Sequence, residues 1–429
     1  MSTNLTTRTP AVTPSAGRPI PPAAPAAARP GGDAGSSRRG FLGGSLAVAG
    51  AVSLSPRSVF AAGDQRLRIG LVGCGGRGTG AALQAAAADP AVRVVALGDL
   101  FADQVAAAAH LLGRGIGRQF ACPPERRFAG ERAFRDVIGS GVDLVLLASP
   151  PHVRPLHLEA AVAAGCHVYC EKPAAIDAAG VVRAAAAAIR GRAAGLSLVS
   201  GFCFRHDPPT VELIARIRGG EIGRPLSLHA HAVIGLPWWR PPVAGDAAGA
   251  WRLRNWIAFE SLSGGHFVEH HVEAIDRAVW LMGDVAACTA EPLRTAPVAG
   301  VSGAAGDCAP VTAVRYRFAD GATLDASLDR RGAGDRRIET VTGTDGTCDL
   351  VRGAIDGAVT VSPPGGPGRH QAAMATLVRA VLAGRVVHEG TAMCLGTMTA
   401  VMGRVAAAVG RRITWDELAG QAASSSRPV

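Results

Sequence analysis

The sequence predicts an α/β fold whose first half is a doubly wound parallel sheet, followed by a second, β-rich domain. Three observations carry this. Apolar strand-like runs alternate with helical stretches from Leu67 to Gly201, the pattern of a parallel sheet with crossover helices. A glycine-rich loop joins the first strand to the first helix. From Val311 to Leu350, short β-rich runs alternate with Gly/Asp turns. A chain of 429 residues exceeds the ordinary size of one domain.

The ends of the chain differ from its middle. Residues 1–35 are rich in Pro, Ala, Thr and Gly, a composition that does not bury a core. Ser37-Arg38-Arg39-Gly40-Phe41-Leu42 then precedes the apolar run 46–54 and the small-residue stretch Val59-Phe60-Ala61-Ala62. This resembles a twin-arginine export signal. The expectation is a leader over residues 1–62, recognised by the twin-arginine machinery, and a periplasmic or extracellular mature protein with no membrane span. Such a protein loads any nucleotide cofactor before export.

The formal charge is +10, but residues 1–62 hold six arginines and one aspartate. The rest is spread without a basic run or interleaved aromatics, so nucleic-acid binding has no support. The nine cysteines are scattered and none forms a CxxC pair. They read as buried free thiols, and no metal ligand set is expected.

In the first half, Ile69–Val72 reads as a buried strand running into Gly73-Cys74-Gly75-Gly76-Arg77-Gly78 and a helix to about Ala88. This is G-x-G-x-x-G in strand–turn–helix context, where glycines let the backbone approach a pyrophosphate at a helix N-terminus. A second strand, 93–98, ends in Asp99, 21 residues beyond Gly78, where a carboxylate meets the adenosine ribose hydroxyls. Leu100 and Phe101 follow instead of arginine, so NAD fits better than NADP. The strand 143–148 ends in Ser149-Pro150-Pro151-His152, and a helix over about 153–164 leads to the strand Cys166–Cys170. Cys166 and Cys170 belong on one face of it. Ligands of such sheets collect past the carboxyl ends of strands, where Gly73, Gly75, Gly76, Arg77, Gly78, Asp99, Ser149, Pro150, His152 and Glu171 all lie. His157 reads as packing or capping.

Cys170-Glu171-Lys172-Pro173 comes at the end of that last strand. Lys172 is the only lysine among 44 lysines and arginines. A lysine retained against that bias marks a position where arginine does not serve: its pKa responds to burial and neighbours, and it can share a proton with a hydroxyl.

In the second half, helices are expected over 178–192, 210–218, 369–382 and 392–409, and strands over 196–201, 226–233, 312–318, 323–328 and 337–343. Four of the six tryptophans fall between positions 238 and 256. Asn255 is the only asparagine beyond the leader. A helix from about Phe267 places Glu269, Glu273 and Asp276 near one face, with His266 and His270 a turn apart. Arg330 and Arg331 either reach a cleft or face water, and His370 and Arg404 are further polar candidates.

The glycine loop, Asp99 and Glu171-Lys172-Pro173, joined by the stretches Gly201–Pro208, Leu253–Trp256 and Ser263–His271, resemble the Gfo/Idh/MocA oxidoreductases over about Leu67 to Leu418, and more narrowly their exported, twin-arginine branch. The resemblance implies a Rossmann domain (63–190) and a substrate-binding and oligomerisation domain (191–429) built on an open, mostly antiparallel sheet. It implies NAD, a sugar, cyclitol or glycoside substrate and a homo-oligomer. It also implies that Lys172 contacts substrate and cofactor, with a cis Lys172–Pro173 bond. Arg205, Trp239, Arg254, Asn255 and His266 are the expected substrate contacts. In the family the acid/base histidine stands three residues before an aspartate. Here Asp276 is present, but that position is Glu273, and His271 lies two residues earlier. Proton transfer is therefore expected from Lys172 with His271 or Glu273, positioned by Asp276. Two other readings stay open: a lyase or glycosidase working by transient ring oxidation, and a sugar-binding relative without redox chemistry.

Overall fold

The structure, a computed structural model, describes residues 66–235, 237–283, 288–296, 306–332, 334–361 and 368–425. The expected leader and its twin-arginine signal lie outside them.

The first sheet is parallel and doubly wound. Its elements run β1 (Leu67–Val72), α1 (Gly76–Ala88), β2 (Val92–Asp99), α2 (Ala102–Ile116), β3 (Arg127–Ala129), α3 (Ala133–Gly139), β4 (Leu144–Leu147), α4 (Arg154–Ala163), β5 (His167–Cys170), α5 (Ala178–Ala193) and β6 (Leu198–Ser200). The strand order is β3-β2-β1-β4-β5-β6. The central strands are apolar because helices cover both faces. The two faces of β5 show it: Val168 and Cys170, with Cys166 just before them, join one core cluster and Tyr169 the other. All nine cysteines are buried thiols, none in a disulfide. Helices α2 and α3 were not foreseen. Residue 190, where a domain boundary was expected, lies inside α5, and β6 still belongs to the first sheet.

The chain continues through α6 (Pro208–Arg218), β7 (Pro225–Ile234), α7 (Ala250–Arg254), α8 (Glu260–Ser263), α9 (Gly265–Met282), β8 (Thr289–Ala296), β9 (Val311–Arg317), β10 (Thr323–Asp329), β11 (Asp335–Gly343), β12 (Thr347–Asp349), β13 (Ala354–Ile355), β14 (Ala358–Val359), α10 (Arg369–Leu382), α11 (Gly390–Val409), β15 (Ile413–Thr414) and α12 (Trp415–Ser425). The second sheet has nine strands in the order β14-β13-β12-β11-β7-β10-β9-β8-β15. Only β7 and β10 pair in parallel; the other pairs are antiparallel. Alternate residues of β7 and β10 (Leu228, Ala230, Ala232; Leu324, Ala326, Leu328) face a core shared with α9 and α11.

The helix α11 is long and apolar enough to cross a membrane. Most of it is buried between α9, α5 and the second sheet, so its apolar length serves the core. The helix α10 returns to the first sheet, where Met374, Leu377 and Val378 join the core beneath α1.

Candidate active site

The glycine loop has the geometry a dinucleotide needs. Gly73 has φ +95°, and a Cβ there would lie 2.5 Å from the Ala148 carbonyl carbon. A Cβ on Gly78 would lie 1.9 Å from the Gly73 oxygen. These two glycines let β1, α1 and β4 close together. A Cβ on Gly75 or Gly76 would meet nothing within 4 Å, so this face of the loop is open. Helix α1 starts there without a side-chain cap or an acidic residue in its first turn, leaving a positive helix end toward the opening. Asp99 sits at the end of β2, and its carboxylate accepts from the amides of Cys74 (2.7 Å) and Phe101 (3.0 Å). These residues fit NAD: an open amide-lined turn for the pyrophosphate, and beside it a carboxylate for the ribose.

Arg77, in the first turn of α1, pairs with Glu171 at 3.0 Å. Glu171 also accepts from the fully buried Tyr169 hydroxyl (3.1 Å). A Cβ on Gly201 would lie 2.7 Å from both Glu171 Oε2 and the Lys172 nitrogen. The loop after β6 thus braces the end of β5. The Lys172–Pro173 peptide is cis. Arg154, 3% exposed, donates to the carbonyls of Pro173 and Ser149 and ties the loops after β4 and β5 together. Ser149 Oγ is bonded to His157 Nδ1 at 2.9 Å, and that ring stacks on Phe134, so His157 packs. His152 Nδ1 meets the Leu262 carbonyl at 3.2 Å, joining the first domain to α8. Pro150 stands beside Ser149 at the carboxyl end of β4.

Lys172 crosses to α9. Its Nζ donates to the Glu269 carbonyl at 2.7 Å and to Glu269 Oε1 at 3.2 Å, with 19% of the side chain exposed. Burial pulls the ammonium pKa down, but the carboxylates of Glu269, Glu273 and Glu171 outweigh it and hold it above the ordinary lysine value. Burial raises the Glu269 carboxyl, with Lys172 opposing, and Glu269 Oε2 has no hydrogen-bond partner among the described residues. The sequence singled out Glu273 and passed over Glu269 as a site residue. The available signal was the spacing of four between the two glutamates, one helical turn on the same face. Glu273 is partly buried, and its charge acts on Lys172.

His266 and His270 occupy the same side of α9, with ring centroids 5.8 Å apart. His266 Nδ1 and His270 Nε2 are buried without hydrogen-bond partners among the described residues. Burial, then Arg330, lowers the His266 pKa to about 3; burial, then Lys172, holds His270 well below its usual value. Both rings are neutral at ordinary pH.

The packing gives five of the expected site residues other partners. His271 faces the second sheet: it is 2% exposed, its Nε2 meets the Ala230 carbonyl of β7 at 3.1 Å, and burial lowers its pKa to about 4. It is a core residue, turned away from Lys172. Asp276 does not position a histidine. It forms a two-bond pair with Arg205 (2.8 Å each), which occupies the guanidinium expected to meet substrate. Arg254 is held by Asp103 of α2 and by Asp246, two hydrogen bonds to each, and lies over the Phe101 ring; it staples the 246–255 segment to the nucleotide domain. Asn255 spends its amide on Arg240 and Trp251 backbone groups. Trp239 is 40% exposed and meets Trp251 edge-on and Phe259 at a tilt. His370 is bonded to Cys203 and Arg404 pairs with Glu260.

Comparison with known proteins agrees with this layout. The family model described as "Oxidoreductase family, NAD-binding Rossmann fold" matches residues 67–194, and "Oxidoreductase family, C-terminal alpha/beta domain" matches residues 214–405. An inositol 2-dehydrogenase of Saccharopolyspora erythraea is 35% identical over 165 residues, 38% of this chain and 44% of that protein. An inositol 2-dehydrogenase of Acidothermus cellulolyticus is 34% identical over 180 residues, 41% and 47% of the two chains. The chain thus spans about half the length of the curated relatives it matches. Among solved structures, GenD2 from gentamicin A biosynthesis in complex with NAD has a TM-score of 0.62 at 20% identity, covering 85% of this chain and 99% of that one. Levoglucosan dehydrogenase in complex with NADH and levoglucosan has a TM-score of 0.62 at 20% identity, covering 81% and 99%; at such identities the likeness speaks for the fold. With a glycine cradle open to a dinucleotide, a lysine at its mouth, and both halves matched by the family's two models, this chain belongs to the Gfo/Idh/MocA oxidoreductase family.

Proposed function

We propose that the protein is an NAD-dependent dehydrogenase of a sugar or cyclitol hydroxyl. One observation carries the reading: the single lysine stands beyond the dinucleotide cradle with its ammonium on Glu269, a carboxylate with one free oxygen. When bound, NAD supplies the hydride acceptor. Lys172 stays protonated, donates to the substrate hydroxyl oxygen and stabilises negative charge as it develops there. Glu269 takes the hydroxyl proton through Oε2; its raised pKa makes it a better base than an ordinary carboxylate. A second reading gives the proton to Glu273, one turn on, which makes no hydrogen bond or ion pair to a described residue. The inositol 2-dehydrogenases matched in sequence support a cyclitol or sugar substrate. The lyase or glycosidase reading loses support because both tyrosines are buried and bonded, Tyr169 to Glu171 and Tyr316 to the Thr399 carbonyl.

The pH profile tests the roles. Activity needs Glu269 ionised and Lys172 protonated. The Glu269 pKa is raised, so kcat/KM is expected to climb through a pH above the usual carboxylate range. The Lys172 pKa is raised too, so the alkaline fall comes beyond the ordinary lysine value. Glu269→Gln is expected to lose about 10²–10⁴-fold in kcat and its acid limb. A full-rate Glu269→Gln enzyme beside a dead Glu273→Gln enzyme would transfer the role to Glu273.

We infer further that the chain is a member of the family's exported branch. The support is the leader 1–62 with Arg38-Arg39 before the apolar run 46–54. Copies then pair across the outer face of the nine-stranded sheet, where Leu226 and Ile338 are exposed. Cell fractionation of the full chain and of its Arg38→Lys/Arg39→Lys variant, with light scattering of the purified protein, reads both. Equal export of the two chains, or a monomer, would overturn the respective inference.

A further inference from the structure

Arg330 follows β10 and is 2% exposed. Its side chain makes no hydrogen bond or ion pair to a described residue, and its Nε is buried without a partner. A buried guanidinium without a carboxylate is costly, and proteins pair such groups. Of the other buried arginines, Arg254 has two carboxylates, Arg277 is paired with Glu339, and Arg154 donates to the carbonyls of Pro173 and Ser149. Burial lowers the Arg330 pKa, with the charges of Cys308 and Asp335 opposing; neither makes a hydrogen bond or ion pair with its side chain.

Its surroundings place it in the candidate site. The Arg330 amide bonds the Pro310 carbonyl at 2.8 Å. Nearby Cys308 approaches Ser263 Oγ at 3.7 Å, and that hydroxyl accepts from the Gly265 amide that opens α9. Arg330 therefore shares a corner with the N-terminal turn of α9, whose first turn has no acidic residue. Its charge reaches both His266 and His270. Along α9 the order is His266 with its free Nδ1, then Glu269 holding Lys172, then Glu273. From 266 to 273 the helix rises about 10 Å. One end thus offers a cation with no side-chain hydrogen bond among the described residues, a neutral imidazole and a positive helix end, and the proton-handling carboxylates lie beyond Lys172.

We propose that the substrate carries a carboxylate on its sugar or cyclitol frame, and that Arg330 with His266 receives it while Lys172 meets the reacting hydroxyl. This rests on the dehydrogenase reading of the same site. A guanidinium fork matches a carboxylate in two bonds.

The test measures binding to the purified full chain carrying NAD, for the pairs glucose/glucuronate and galactose/galacturonate, with glucose 6-phosphate as a second anion. At least one uronate is expected to bind about 10- to 100-fold more tightly than its neutral partner. Arg330→Gln should erase that preference and Arg330→Lys restore part of it. No uronate preference in the wild-type protein, a tighter sugar phosphate, or a preference that survives Arg330→Gln overturns the proposal. Should Arg330→Gln fail to fold, the wild-type pairs decide. Nicotinamide absorbance separates the two readings. A uronate preference without reduction of bound NAD overturns the dehydrogenase and keeps the anion site; reduction by neutral sugars alone does the reverse.

Discussion

Lys172→Met is expected to lose turnover by about 10²–10⁴-fold while the protein still carries NAD. The ammonium is the cation that meets the reacting oxygen, and Glu269 fixes it from two sides. The glycine loop and Asp99 do not depend on it. Lys172→Arg keeps the charge but replaces a compact donor with a planar fork, which cannot make the same two bonds to one residue of α9; it is expected to fail nearly as badly. Initial rates from nicotinamide absorbance, with mass spectrometry of nucleotide released on denaturation, measure both halves. Wild-type turnover in Lys172→Met would refute the role, and loss of NAD would show that the lysine holds the cofactor.

Arg277→Met is expected to carry the largest cost in stability, about 3–5 kcal/mol. Arg277 and Glu339 are 4% and 3% exposed and joined by two bonds between α9 and β11, and the guanidinium lies 3.7 Å from the Phe204 ring centroid. Removing the cation strands a buried carboxylate. The double variant Arg277→Met/Glu339→Leu should recover most of the loss, because the desolvation penalty leaves with the charges. Burial acts to raise the Glu339 pKa, but Arg277 wins and depresses it. The carboxylate's contribution is therefore complete above its unfolded pKa and is lost as pH falls through the lower folded value. Urea midpoints of the wild-type, single and double variants, taken at neutral and acid pH, check the cost, the recovery and the sign.

The parts of the site legible in the sequence are those where function depends on local chain geometry. Gly73 and Gly78 announce a turn, and the structure shows the backbone approaches that exclude a side chain. Lys172 stood out by residue type and by its place at a strand end. The misread residues sit where a polar group's partner is distant in sequence. Arg254 looked free until Asp103, 151 positions away, proved to hold it. His271 and His270 are adjacent in the chain, yet successive residues of a helix point about 100° apart; only one of them faces Lys172, and the packing of α9 on β7 decides which. Glu269 was passed over for the same reason: its partner is 97 residues back.

By itself, the sequence determined the class of fold, the dinucleotide cradle and the one titratable amine, because apolar periodicity, glycine placement and spacing along the chain act over a few residues. Only the tertiary structure decided which charged groups are spent on one another and which have no hydrogen-bond partner among the described residues, Arg330 Nε and the outer oxygen of Glu269 among them. That choice is made where helices and sheets from distant parts of the chain exclude water, and the cost of burying a charge depends on which neighbour arrives there.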